Sequence, residues 1–361
     1  MSNIVNYINR YGHLTFDELK FNELDELILG VISYVDFDGI LENNKYEKVK
    51  LSDAANMLFK KYKMKELMDN MSGVTAAIKI FDYIKNENRY KDLYLYNYAY
   101  KCDSNKQFSA VFIDISKSLT YISFEGTDDL VSGWKEDCEM TYNFPIPAQK
   151  EAIKYVNRSI PLFTNRRYIL GGHSKGGNLA CVAAMYINPL LKSRIKRIVS
   201  YDGPGLRPEQ LNSKNYKSIE SKLELVVPNT SIIGMLLNHT VDFKVVSSTK
   251  SGIAGHNVIY WETDETKFVL SSLSEGSKRI DDLVYEWLNK YTDKELEHFV
   301  NEMFDVLARA GVDSLMEIKI KNLPILLKIL EESKKLDNET RKVIKSLFQL
   351  VFDYYRTTPK N

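Results

Sequence analysis

The run Tyr168-Ile169-Leu170-Gly171-Gly172-His173-Ser174-Lys175-Gly176-Gly177-Asn178-Leu179-Ala180 constrains this chain more than any other stretch. Its centre is Gly172-x-Ser174-x-Gly176, with an apolar run before it and a small-residue run after it. A nucleophile elbow requires that spacing. The serine sits on a strained strand-to-helix turn, where side chains two residues to either side collide with backbone unless they are glycine. The helix that begins after the serine directs backbone N–H groups and a partial positive charge at any oxyanion formed there. An isolated Gly-x-Ser-x-Gly is also compatible with an ordinary loop, so its context decides. Residues 166–170 read as a strand and residues 179–187 as a buried helix, packed closely through Gly176, Gly177 and Ala180. A phosphate-binding loop is the competing glycine-rich reading. It fails because Gly176, not Ser or Thr, follows Lys175, and because the glycines lack the required spacing.

With 361 residues, 44% of them hydrophobic, the chain has the length for one large α/β domain plus helical additions. Lys+Arg 49 against Asp+Glu 48 gives a formal net charge of +1, so no global field favours a nucleic-acid partner. Three scattered cysteines, Cys102, Cys138 and Cys181, fit neither a disulfide framework nor a metal-ligand spacing and point to free thiols in a reducing compartment. The first residues carry no signal-peptide pattern and no apolar run is long enough to span a bilayer, so the expected location is cytoplasmic. Peripheral contact with a membrane or micelle through an amphipathic surface is compatible with that expectation.

Helical patterns cover part of residues 15–40, residues 52–62 and residues 72–85, and no linker-like composition separates them from the strand-rich segment downstream. Residues 108–115 and 119–124 are aromatic and β-branched runs joined by a short turn, which predicts an adjacent strand pair. Strand-like runs recur at 194–201, 222–227 and 241–247, separated by helical or turn sequence, the alternation of a mostly parallel sheet. The expected organisation is a mainly helical N-terminal part over 1–98, an α/β core over 99–310 and a helical extension over 311–361. The segment 130–144, with Trp134 and Phe144, reads either as a loop between strand and helix that covers and gates a site or, equally well, as a stretch whose aromatics are simply core. The amphipathic helices near the C-terminus read as packing on the body or on one another.

The candidate chemistry gathers around Ser174. The strand ending at Phe124 leads into Glu125-Gly126-Thr127-Asp128-Asp129, where glycine permits a sharp exit from the sheet, making this the candidate oxyanion loop. His256 lies on a glycine-containing loop after the last core strand, which is where a Ser, acid, His chain order places its general base. His173 adjoins the nucleophile and is expected to point into the fold. For the acid, Asp202 stands where a strand ending at Tyr201 meets Gly203-Pro204-Gly205, at the same sheet edge as Ser174. Asp242 also falls between serine and histidine, but it opens the final strand and so belongs to the opposite edge. A simpler reading of Asp202 is an anchor for the Gly-Pro-Gly turn.

With these residues placed, the chain resembles the lipase-like α/β-hydrolases. Phe124-Glu125-Gly126-Thr127-Asp128 with Trp134 downstream is similar to the oxyanion segment and lid tryptophan of class 3 (fungal-type) lipases, and Gly172-His173-Ser174-Lys175-Gly176-Gly177 is similar to their elbow. The resemblance is closer to a bacterial family, the Mbeg-like proteins, through residues 15–38, 124–149, the lysine-containing elbow, 201–205, 231–237 and 247–261. It covers roughly residues 13–310. It implies an α/β-hydrolase fold in which Ser174 is the nucleophile and His256 the base, with Thr127 and Lys175 supplying backbone N–H groups to the oxyanion hole. Two positions depart from the lipase pattern. Glu125 replaces the usual arginine, and Ser231 falls where class 3 lipases carry the triad aspartate, so the acid has to be found elsewhere or be absent.

The reading these residues favour is a serine hydrolase that cleaves acyl esters, lipid-like ones in the first place, through an acyl-enzyme intermediate and without metal or organic cofactor. Two alternatives use the same fold: a binding or scaffold protein that has lost turnover, and an acyltransferase or thioesterase with another acceptor.

Overall fold

The computed structural model describes residues 2–44, 46–68, 72–103, 106–128, 130–314 and 322–357. Its centre is an eight-stranded sheet of β2 (Val49–Lys50), β3 (Tyr94–Asp103), β4 (Lys106–Asp114), β5 (Leu119–Phe124), β6 (Arg167–His173), β7 (Ile195–Tyr201), β8 (Leu223–Pro228) and β9 (Phe243–Val246). These strands lie side by side in chain order. The first four pair antiparallel, and β5 through β9 are parallel. A second, small sheet joins β1 (Ser2–Asn3) to β10 (Glu262–Asp264) and β11 (Lys267–Phe268), stitching the N-terminus to the segment after the last core strand. The strand pair expected around residues 108–124 is β4 and β5, and the expected core strands are β7, β8 and β9.

The sequential order decides how the sheet is covered. Parallel crossovers are right-handed, so connections that always step the same way along a sheet lie on one face. That face carries α6 (Val131–Glu139), α7 (Pro147–Ser159), α8 (Lys175–Met185), α9 (Pro208–Leu211) and α10 (Lys214–Lys217) in the β5-to-β8 connections. Of these, α7 and α8 pack Ala152, Tyr155, Leu179 and Val182 onto Ile122, Phe124, Leu170, Ile198 and Leu225 of the strands. The other face needs a separate layer, and the N-terminal segment supplies it. From α1 (Ile4–Tyr11), α2 (Glu23–Val31), α3 (Leu51–Lys61) and α5 (Ser72–Ile84), with the short α4 (Met64–Leu67) between the last two, come Ile4, Leu27, Ile28, Ala54 and Phe81. They share one core with Tyr121, Ile169, Val199 and Val226, the residues that alternate with those facing α7 and α8.

Capping explains where several of these helices begin. Asn3 and Asn22 each accept from the first turn of α1 and α2 and are answered by Asn6 and Asp25. Asp25 is also the centre of a fully buried cluster. Its carboxylate receives two bonds from Arg89, at 2.7 and 2.5 Å, and hydroxyl bonds from Tyr7 and Tyr90 at 3.0 and 2.6 Å. A charge removed from water is tolerated when its lone pairs are satisfied in this way. The expected boundary at 98/99 falls inside β3, whose Leu95 and Tyr98 pack with the N-terminal helices while Tyr96 and Ala99 pack on the α7 face.

At the other end, α11 (Glu275–Leu288), α12 (Asp293–Ala310), α13 (Leu323–Ser333) and α14 (Asn338–Thr357) form a helical layer of their own. Trp287, Leu296, Phe299, Val300, Phe304 and Val343 make a satellite cluster separate from both faces of the sheet. It meets the body at α6, through Val131, Trp134, Cys138 and Tyr142. Among the described residues no helix is long and apolar enough to cross a membrane. The chain has the α/β architecture expected from its sequence: a mostly parallel sheet flanked by helices, with a strand–serine–helix elbow at its centre.

Candidate active site

The elbow is built by close approach. Ser174 has φ 57° and ψ −133°, a backbone conformation that costs a residue with a Cβ about 1–3 kcal/mol and persists only when the surroundings impose it. Those surroundings are backbone. A Cβ on Gly172 would lie 2.4 Å from the Phe124 carbonyl oxygen, and one on Gly176 would lie 2.1 Å from the same atom. β5, β6 and α8 therefore meet at a point where only glycine fits. The Ser174 N–H donates to the Tyr201 carbonyl at 2.9 Å, which ties the elbow to the end of β7.

That strand end carries the candidate acid. Asp202, also at positive φ (49°), is fully buried, and its Oδ2 lies 2.7 Å from His256 Nδ1. Its other oxygen, Oδ1, accepts from the Ser231 hydroxyl and from the Gly234 N–H at 3.0 Å. Ser231 thus stands at the end of β8, where the lipase pattern has its acid, and instead donates to an aspartate one strand away. The Gly-Pro-Gly segment after Asp202 presses on the elbow: a Cβ on Gly203 would sit 2.5 Å from the Ser174 carbonyl oxygen. Asp242 is exposed and precedes β9, which runs parallel to β8, so it lies at the opposite edge of the sheet from the elbow. Among the described residues the Ser174 hydroxyl has no hydrogen-bond partner. Serine–base hydrogen bonds are often long or poorly aligned without substrate.

His173 is buried and faces the candidate base, His256. Its ring stacks on that of His256 at 4.2 Å between centroids and 36° between planes, and its Nε2 lies 2.8 Å from the His256 carbonyl oxygen. Burial, with the neighbouring His256 adding to it, holds the His173 imidazole well below its ordinary pKa, so it is neutral. The sequence expectation that His173 points into the fold describes its burial but misses its contact with His256.

On the other flank of Ser174 runs the candidate oxyanion loop. A Cβ on Gly126 would come within 2.6 Å of the His173 carbonyl and 3.0 Å of Ser174 Cβ, so this loop passes directly beside Ser174. Thr127 is buried and its hydroxyl donates to Asp137 Oδ2 at 2.5 Å. Among the described residues the backbone N–H groups of Thr127 and Lys175 have no acceptor. The Lys175 ammonium is fully buried, 3.2 Å from Glu136 Oε2, 3.3 Å from Gln107 Oε1 and 3.6 Å from Asp137 Oδ1. Burial pulls the Lys175 pKa down, but Asp137 and Glu136 outweigh it and leave it above its usual value. Asp137 is raised by burial against the opposing pull of Lys175. Glu125, where the lipase pattern has arginine, is raised well above the carboxylate range by burial, with Asp128 adding to it. Gln107 closes the group by accepting from the Asp128 N–H at 3.2 Å.

Of the two readings of residues 130–144, packed aromatics fit the structure and a covering loop does not. Residues 131–139 form helix α6, not a loop, and Trp134 is packed into the C-terminal cluster instead of standing exposed. The helix is pinned at its start by Val131 N–H donating to the Asp313 carbonyl at 3.0 Å, and along its length by the buried pairing of Glu136 and Asp137 with Lys175. The aromatic residue that suggested a lid is explained by four helices whose packing partner the local sequence does not reveal.

The profile of the Mbeg1-like family matches residues 84–305. The chain belongs to the Mbeg1-like family. Its N-terminal layer, including residues 15–38, lies outside the matched region. Among solved structures, the chain is similar to a crystal structure of M37 lipase, with 12% sequence identity, a TM-score of 0.34, and coverage of 59% of this chain and 69% of that one. Among curated proteins no match was found.

Proposed function

We propose that this chain is a serine hydrolase that cleaves carboxylic esters, lipid-like ones in the first place, through an acyl-enzyme intermediate. The observation that carries the reading is the 2.7 Å contact between Asp202 Oδ2 and His256 Nδ1 beside a serine held at φ 57° on the neighbouring strand end. In this reading Asp202 keeps the proton on Nδ1, so Nε2 of His256 is the lone pair that takes the Ser174 proton. The alkoxide attacks the ester carbonyl, and the tetrahedral oxyanion is received by the N–H groups of Thr127 and Lys175. His256 returns its proton to the leaving alcohol, and water repeats the sequence to release the acid.

The experiment is a panel of acyl esters and thioesters, with Ser174→Ala as the reference. Ser174→Ala is expected to lose several decades of rate, as removal of a triad member does, with the fold retained because the glycines of the elbow remain. Unchanged hydrolysis in the purified variant contradicts the reading. A folded wild-type protein that turns over none of the panel favours a binding role for the same fold.

A further inference from the structure

We propose that His173, locked by Tyr34 of the N-terminal layer, is the positioning residue of the base His256. The inference rests on the hydrolase reading above for its kinetic consequence but on geometry for its substance. His256 ends a short 3₁₀ turn, Gly252–His256, that is poorly tied to itself. Gly252 is at φ 58°, Ile253 and Ala254 are exposed, and the turn's backbone bonds, Gly255 N–H to Ser251 O and Asn257 N–H to Ala254 O, are long at 3.4 and 3.3 Å. Two ring N–H donors from the fold pin it instead. Trp261 Nε1 donates to the Gly255 carbonyl at 2.9 Å, and His173 Nε2 donates to the His256 carbonyl at 2.8 Å.

The tautomer follows by elimination. A carbonyl oxygen only accepts, so Nε2 of His173 carries the proton. Nδ1 is then a lone pair, and the Tyr34 hydroxyl, 3.1 Å away, donates to it. Tyr34 is buried, and its oxygen also lies where a Cβ on Gly126 would fall, at 2.0 Å, so one hydroxyl abuts both the elbow and the candidate oxyanion loop. With its own orientation fixed, the His173 ring packs against the His256 ring, tilted by 36° with centroids 4.2 Å apart, while Asp202 fixes Nδ1 from the edge. The base is thus held by a hydrogen bond in its plane and a stacked ring on its face. Tyr34 lies outside residues 84–305, so the N-terminal layer contributes to the site as well as covering the sheet.

The test uses the full chain with p-nitrophenyl butyrate as substrate and proton NMR of the imidazole N–H shared with Asp202. His173→Phe keeps a stacking ring but removes both hydrogen bonds. It is expected to lower kcat about 10- to 100-fold, the scale of a misplaced catalytic group, with KM within about two-fold. The Asp202-shared N–H resonance should broaden as the His256 ring gains freedom. His173→Gln, whose amide nitrogen falls near the place of Nε2, should recover part of kcat and sharpen the resonance. Tyr34→Phe, a smaller change should His173→Phe fail to fold, is expected to lower kcat several-fold in the same pattern. An active wild type with kcat and resonance unchanged in Tyr34→Phe and in folded His173→Phe overturns the positioning role. A wild type with no esterase activity, whose resonance still broadens in these variants, supports the positioning role and removes the hydrolase reading alone.

Discussion

The two flanks of Ser174 are held in place by different physics. On the base side, Asp202, Ser231, His256 and His173 meet through neutral or singly charged hydrogen bonds at the ends of β6 and β7 and in the loops after β8 and β9, with Tyr34 of the N-terminal layer bonded to His173. On the oxyanion side, Thr127 and Lys175 are fixed by a buried ionic cluster with Glu136 and Asp137, carried on α6 and braced by the C-terminal helices. The first arrangement satisfies its one buried carboxylate, Asp202, with hydrogen bonds from His256, Ser231 and Gly234. The second makes the geometry of the oxyanion loop inseparable from stability, because a buried ammonium and its carboxylates cannot be parted without exposing an uncompensated charge.

The contrast can be broken in order of effect. Asp202→Asn is isosteric but accepts and donates differently, so it should lower turnover by about four decades, as expected when the wrong imidazole tautomer is favoured, with a far smaller change in urea midpoint. A large loss of stability in that variant would mean the base side is structural after all. Lys175→Met should do the reverse in kind: unfolding in urea should show a loss of about 3–5 kcal/mol, because Glu136 and Asp137 are left buried without their cation. If Lys175→Met is as stable as wild type, the ionic clamp is not what holds α6. Ser231→Ala removes one of the two donors to Asp202 Oδ1 and leaves the Gly234 N–H, so it should cost about 1 kcal/mol and several-fold in turnover. Asp242→Asn, at the far edge of the sheet, should change neither quantity; a loss of turnover there would reopen the assignment of the acid.

The same contrast explains what the sequence disclosed. The elbow, Asp202 and His256 are legible because a parallel sheet puts the C-terminal ends of its strands on one edge, so their positions after strand-like runs bring them together in advance of any contact map. Asp242 is set aside by the same rule. The oxyanion side is less legible, since Lys175 pairs with residues 39 and 38 positions earlier, on a helix that reads as a loop. One signal was present: a lysine that is the one formally charged residue between Tyr168 and Ala180 needs a buried anion, and Glu136-Asp137 is an acidic pair between the two motifs. Nothing local marked Tyr34, which reaches His173 across 139 positions of sequence. Nor did composition show that the N-terminal helices are the second face of the sheet. That follows from the sequential strand order, which leaves one face without crossover helices.

The central claim is that Ser174 is a nucleophile activated by His256 and Asp202. The most direct measurement is reaction of the full chain with a fluorophosphonate, followed by peptide mapping and by the labelling rate in variants. The account predicts a single adduct on Ser174, absent in Ser174→Ala and slowed by decades in His256→Ala and Asp202→Asn. An unlabelled Ser174 in folded protein that nonetheless hydrolyses esters, or labelling as fast in both variants as in wild type, would contradict it.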